Sequence, residues 1–140
     1  MLKLNCVLLI DDNDDDNFYH RIILHESAVT DHVQVAENGF EALHFLENSK
    51  TLPQLIFLDI NMPRMTGWEF LERYRKLSIE DKDKVVIIML TTSLNPADET
   101  RAKLIPEVSS FQPKPLTHEM IKEISERFLW ERSTLNSGKY

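Results

Sequence analysis

A chain of 140 residues, 42% of them hydrophobic and 28% charged, can bury one core without disulfide or metal staples, and its Gly and Pro content does not suggest disorder. Its formal net charge of −7 argues against direct nucleic-acid binding, which needs a basic face against phosphate. The single Cys6 can form no internal disulfide and reads as a small core residue of a cytoplasmic protein.

The chain opens on "MLKLNCVLLI", whose apolar part is short and is followed by no small-residue cleavage site. It is therefore expected to be a strand, Leu4 to Ile10, rather than a signal peptide, and no later run is long enough to span a bilayer. "DDNDDDN" comes next, five carboxylates in the six positions from Asp11 to Asp16. Asp14 reads as the N-cap of a first helix with Asp15 and Asp16 in its first turn, where the dipole favours acids, and Asp11 and Asp12 are left at the strand end. Phe18, Ile22 and Ile23 begin that helix's apolar stripe.

A second strand is expected over Val33 to Ala36, then a helix carrying Leu43 and Leu46. A third strand, Leu55 to Leu58, runs into Asp59. Pro63 and Gly67 bracket the loop before a helix that starts at about Trp68 and carries Leu71, Tyr74 and Leu77. Val85 to Leu90 forms a fourth strand ending at Thr91 and Thr92. In "SLNPADE" Asn95 caps a fourth helix with Pro96 at its first position and Asp98 and Glu99 in its first turn. A weaker strand, Val108 to Phe111, precedes Lys114, and a last helix carries Ile121, Ile124 and Phe128 before the polar tail "ERSTLNSGKY".

Continuous Val, Ile and Leu runs suit strands covered on both faces, and their alternation with helices predicts a doubly wound α/β sandwich with right-handed crossovers. In a parallel sheet of order 2-1-3-4-5, strands one, three, four and five are neighbours, so Asp11, Asp12, Asp59, Thr91, Thr92 and Lys114 converge on the carboxyl edge. Singly, each is an ordinary turn former, cap, loop hydroxyl or solvated charge. Together, three neighbouring carboxylates repel one another unless a cation or the lysine compensates, which makes a hard cation such as Mg2+ the natural ligand.

The string "LDINMPRMTGWEFL" around Asp59, the pair Asp11 and Asp12, "IIMLTTS" ending at Ser93 and "FQPKPLT" around Lys114 resemble, in order and spacing, the receiver domain of two-component response regulators (CheY-like superfamily). The resemblance runs from about Leu4 to Leu129 and implies a flavodoxin-like (βα)5 receiver over residues 1–132 with a tail at 133–140. It implies that Asp59 accepts a phosphoryl group from a histidine kinase or histidine phosphotransfer protein. Asp12 and Asp11 would hold Mg2+ or Mn2+ with Asp59 and the backbone carbonyl of Asn61. Lys114 and Thr91 would contact phosphoryl oxygens. Phe111, otherwise an ordinary strand aromatic, becomes a switch residue with Thr91, the output face being helix four, strand five and helix five. Asn61 and Ser93 occupy positions that tune phosphoryl lifetime, and the Lys114–Pro115 bond is expected to be cis.

Two features depart from the family pattern. "LIPEVSS", with Pro106 and Glu107, replaces the usual Gly-Ala pair before strand five, and Pro113 precedes Lys114, tolerable in an edge strand. The implied protein is a stand-alone response regulator, not an enzyme beyond promoting its own phosphorylation and dephosphorylation, with a protein partner as its output. The alternative is a pseudo-receiver, an interaction module that is never phosphorylated. A haloacid-dehalogenase-type phosphatase is disfavoured because "DIN" lacks the second catalytic aspartate, and a flavodoxin-like flavin site because no Gly-rich phosphate loop follows strand one.

Overall fold

The computed structural model describes residues 3–129. Strands β1 (Val7–Ile10), β2 (Val33–Ala36), β3 (Leu55–Asp59), β4 (Val86–Thr91) and β5 (Val108–Pro113) alternate with helices α1 (Asp14–Glu26), α2 (Gly39–Asn48), α3 (Gly67–Arg75), α4 (Pro96–Lys103) and α5 (His118–Ile124). All strand pairs are parallel and the order is β2-β1-β3-β4-β5, as the apolar pattern predicts. The three central strands are buried at every position, whereas β2 and β5 are largely half-buried, as edges should be. The expected tail at 133–140 lies outside the described residues.

Alternate strand residues feed two cores. Leu8, Ile10, Ile56, Leu58, Ile87 and Met89 pack against α2, α3 and Ala102 of α4. Val7, Leu9, Phe57, Ile88 and Leu90 pack against α1 and α5. Every helix start has a side-chain cap: Asn13, Asn38, Thr66 (in a capping box with Glu69), Asn95 and Thr117. No helix among the described residues is long and apolar enough to cross a membrane.

Several local expectations are corrected. The N-cap of α1 is Asn13, not Asp14: its side chain accepts the Asp16 N–H at 2.9 Å, and Asp14 is already helical. Phe18 and Ile22 do not face the core. They are 70% and 39% exposed, and the buried face of α1 is Asn17, His20, Ile23 and Leu24. β1 begins at Val7, with Leu4 making only an isolated bridge to Thr30. Leu77 follows the end of α3 yet still packs on the core, and Phe128 lies in a π-helical turn (Ser125–Leu129) that continues α5.

Candidate functional site

Strand ends deliver the candidate site residues to one edge. Asp11 follows β1, its N–H donating to Ala36 O at 3.1 Å. Asp59 is the last residue of β3 and Thr91 the last of β4. Past Pro113, the Lys114 N–H donates to Thr91 O at 2.7 Å, so the ladder resumes beyond the proline, and the Lys114–Pro115 bond is cis as expected. β5 is an edge strand, so Pro113 removes no interior bond.

Lys114 organises the side chains. Its ammonium, 7% exposed, lies 2.6 Å from Asp11 Oδ2, 2.9 Å from Asp16 Oδ2 and 3.2 Å from Asp59 Oδ1. Burial pushes its pKa down, but the hydrogen bonds it donates to Asp11 and Asp16 and the charges of Asp11 and Asp59 outweigh burial, so it is raised and Lys114 stays charged. Asp59 behaves oppositely to a simple ion-paired acid. Burial and then the Asp11 charge, with a smaller push from Asp12, raise its pKa to about 6 against the lowering by Lys114. One lysine does not compensate this many carboxylates.

That deficit is what a cation would relieve. Carboxylate oxygens of Asp11, Asp12 and Asp59 lie within 4.8 Å of one another, with Asp11 and Asp59 buried and Asp12 exposed to accept an incoming ion. An all-oxygen, multiply anionic donor set fits Mg2+ or Mn2+. Asn61, two residues beyond β3, is exposed on the same edge.

Thr91 is 2% exposed, and its hydroxyl is engaged locally: it donates to Ser93 O at 2.9 Å and accepts the Ser93 N–H at 3.2 Å. Thr92, the next residue, is exposed. Phe111 is half-buried against the α3 and α4 core, opposite Met89 in register and therefore on the face that Thr91 shares. Behind Asp59, Gly67 donates its N–H to Ile60 O at 2.8 Å, and a Cβ there would stand 2.6 Å from Asp59 O. Only a residue without a side chain lets α3 start against the strand end.

Sequence reasoning missed Asp16 and Asn13. Asn13 donates its N–H to Asp11 Oδ1 at 3.0 Å and accepts from the Asp16 N–H, while Asn17 Nδ2 donates to Asp11 O at 2.9 Å. The available signal was the spacing: a cap three residues before an acid turns that acid's first helical turn back toward the strand end. His20, one turn beyond Asp16, is buried and kept neutral by burial and by the Lys114 charge against the pull of Asp16 and Asp11.

The family model "Response regulator receiver domain" matches residues 7–126. The chain belongs to the response regulator receiver family. A two-component response regulator from Cytophaga hutchinsonii superposes with a TM-score of 0.83 at 31% identity, covering 91% of this chain and 98% of that one. A chemotaxis protein CheY homolog of Campylobacter jejuni is 35% identical over 119 residues, 83% of this chain and 88% of the relative. A probable methanogenesis regulatory protein, FilR2, of Methanothrix harundinacea is 28% identical over 136 residues, 91% of this chain and 86% of that protein. The family and the receiver fold thus agree with the resemblance read from the four sequence blocks. Its departure at "LIPEVSS" has a structural counterpart: Glu107 takes a two-pronged bond from Arg75 at the end of α3, at 2.7 and 3.0 Å.

Proposed function

We propose that this receiver is a phosphoacceptor that takes a phosphoryl group on Asp59 from a phosphohistidine and switches a partner-binding face. The observation that carries the reading is the seat of Asp59: a buried carboxylate at a strand end, 3.2 Å from the Lys114 ammonium and beside Asp11 and Asp12. An Asp59 carboxylate oxygen attacks phosphorus, the donor's P–N bond breaks, its electron pair returns to the imidazole, and an acyl phosphate forms. Asp11, Asp12, Asp59 and the Asn61 carbonyl would hold Mg2+ or Mn2+, which would supply the positive charge needed for two anions to approach.

The protein groups act in sequence around that step. Lys114 keeps its charge throughout and passes from the Asp59 carboxylate to a phosphoryl oxygen. Thr91 gives up its bond to Ser93 O to donate to another. The new charge, about −1.5 to −2, biases a pre-existing equilibrium in which Phe111 turns inward behind the displaced Thr91. Support for α4, β5 and α5 as the output face comes from α4, which buries Ala102 alone, and from Leu94 and Leu104 beside it, 54% and 78% exposed. The partners are a histidine kinase or phosphotransfer protein on input and a downstream protein on output. The protein's chemistry is confined to gaining and losing its own phosphoryl group.

Incubation with Mg2+ and a small phosphodonor, followed by intact mass and a phosphate-affinity gel, tests this. The wild type is expected to gain one hydroxylamine-labile phosphoryl group and Asp59→Asn none. A wild type that stays unmodified with every donor and kinase would make the protein an interaction module instead.

A further inference from the structure

We infer that Asp16 is a positioning residue for Lys114, holding the ammonium at the carboxyl edge through the phosphorylation cycle from the first turn of α1. The inference rests on the phosphoacceptor reading of Asp59 and adds a residue to its machinery. Three carboxylates surround the Lys114 ammonium: it donates to Asp11 at 2.6 Å and to Asp16 at 2.9 Å, and it is ion-paired with Asp59 at 3.2 Å. Two of those carboxylates change during the cycle. Asp59 becomes an acyl phosphate, and Asp11 is one of the groups that face a bound cation. Asp16 lies outside that cluster, so it is the acceptor that stays constant.

Its placement is fixed by backbone as well as charge. Asp16 is the third helical residue of α1, its N–H held by the Asn13 side chain at 2.9 Å, while Asn13 in turn donates to Asp11 Oδ1 at 3.0 Å. Lys114 Nζ bridges the two acids, closing a ring of hydrogen bonds through Lys114, Asp11, Asn13 and Asp16. A helix-dipole role alone would leave Asp16 pointing to solvent like its neighbours. Asp14 and Asp15 are exposed, whereas the Asp16 side chain is 33% exposed and is turned onto a lysine 98 residues away. Charge-assisted bonds of this kind are short and directional, which is what keeps a flexible lysine in one place.

Asp15→Ala is the matched control, because it removes the same charge from the same helical turn. The first measurement needs no phosphorylation: the side-chain ammonium resonance of Lys114 in a 1H–15N spectrum of the wild type, assigned by its loss in Lys114→Arg. In Asp16→Ala the resonance is expected to vanish or to exchange with water roughly tenfold faster, as follows from losing a charged hydrogen bond, and to be unchanged in Asp15→Ala. The second is the rate of phosphorylation by a small phosphodonor with Mg2+, expected to fall about tenfold in Asp16→Ala, less in Asp16→Asn, and little in Asp15→Ala. Urea unfolding of each variant separates this loss from misfolding. An unchanged Lys114 resonance in Asp16→Ala overturns the inference, as does an equal loss of rate in Asp15→Ala. A wild type that accepts no phosphoryl group overturns the phosphoacceptor reading instead, and the resonance alone then decides whether Asp16 fixes the lysine.

Discussion

The Lys114 ammonium sits closer to Asp11 Oδ2, at 2.6 Å, than to Asp59 Oδ1, at 3.2 Å. The lysine is thus the counter-ion of the acid that follows β1 as much as the partner of Asp59. Lys114→Ala leaves buried carboxylates facing one another, and removing one partner of a buried ion pair costs about 3 kcal/mol or more. Urea unfolding near neutral pH is expected to show that loss, with part of it restored by added Mg2+, which binds only the folded site. An unchanged midpoint would mean that water already screens these acids.

Asp12 is the exposed member of the acid cluster, whereas Asp11 is buried and already accepts from the Asn13 N–H and the Lys114 ammonium. In titration calorimetry Asp12→Ala is expected to weaken Mg2+ binding by more than the roughly tenfold that even an outer-shell change costs a metal site. Magnesium-dependent phosphorylation should disappear with it. Equal affinity in wild type and variant would remove Asp12 from the site.

Folded Asp59 binds its proton more tightly than an ordinary carboxyl does, with a pKa moved from 3.8 to about 6. The folded state therefore holds an extra proton between those values, and stability falls as pH rises through that window and stays reduced above it. Asp59→Asn relieves the penalty. Near pH 7 the variant is expected to be more stable than wild type by on the order of 2 kcal/mol, with the gap closing below about pH 4. Thermal melts across that range check the sign, and a gap independent of pH would contradict it.

Gly67→Ala tests the close approach behind Asp59. The added Cβ meets two backbone atoms, Asp59 O at 2.6 Å and Ile60 Cα at 3.1 Å, which cannot turn aside as a side chain can. A loss of about 1–3 kcal/mol is expected, together with slower phosphorylation as Asp59 is pushed from its seat. Gly39→Ala, whose Cβ meets only the side chain of Met65, should cost less. Equal losses at the two positions would show that backbone proximity to Asp59 is not the cause.

The sheet and the residues at its carboxyl edge were legible because each signal was local and strong: apolar runs of strand length, each leading into Asp11, Asp59, Thr91 or, past Pro113, Lys114. The start of α1 was harder. Asn13 and Asp14 are both good caps, and which one serves depends on where Asp11 needs a hydrogen-bond donor, a matter of three-dimensional contact. Asp16 looked like a dipole acid because its partner lies 98 residues away. Phe18 and Ile22 were placed inward by helical periodicity. The face that turns inward instead carries Asn17 and His20, polar residues that suit a helix whose first turns border a charged site.

The irregularity in β5 sets where that strand ends. Ile87 pairs with Val108 but Ile88 pairs with Ser110, so Ser109 is an extra residue in the ladder. Were Ser109 itself paired with Ile88, Phe111 would stand opposite Leu90, on the α1 and α5 face, and Gln112 rather than Pro113 would stand opposite Thr91. The bulge at Ser109 thus sets two positions at once: it puts the aromatic ring on the side of Thr91 and stands Pro113, with Lys114 next, opposite the end of β4. Drawing Ser109 into the ladder opposite Ile88 would turn Phe111 to the other face, so the side on which the ring lies depends on this one residue staying out of register.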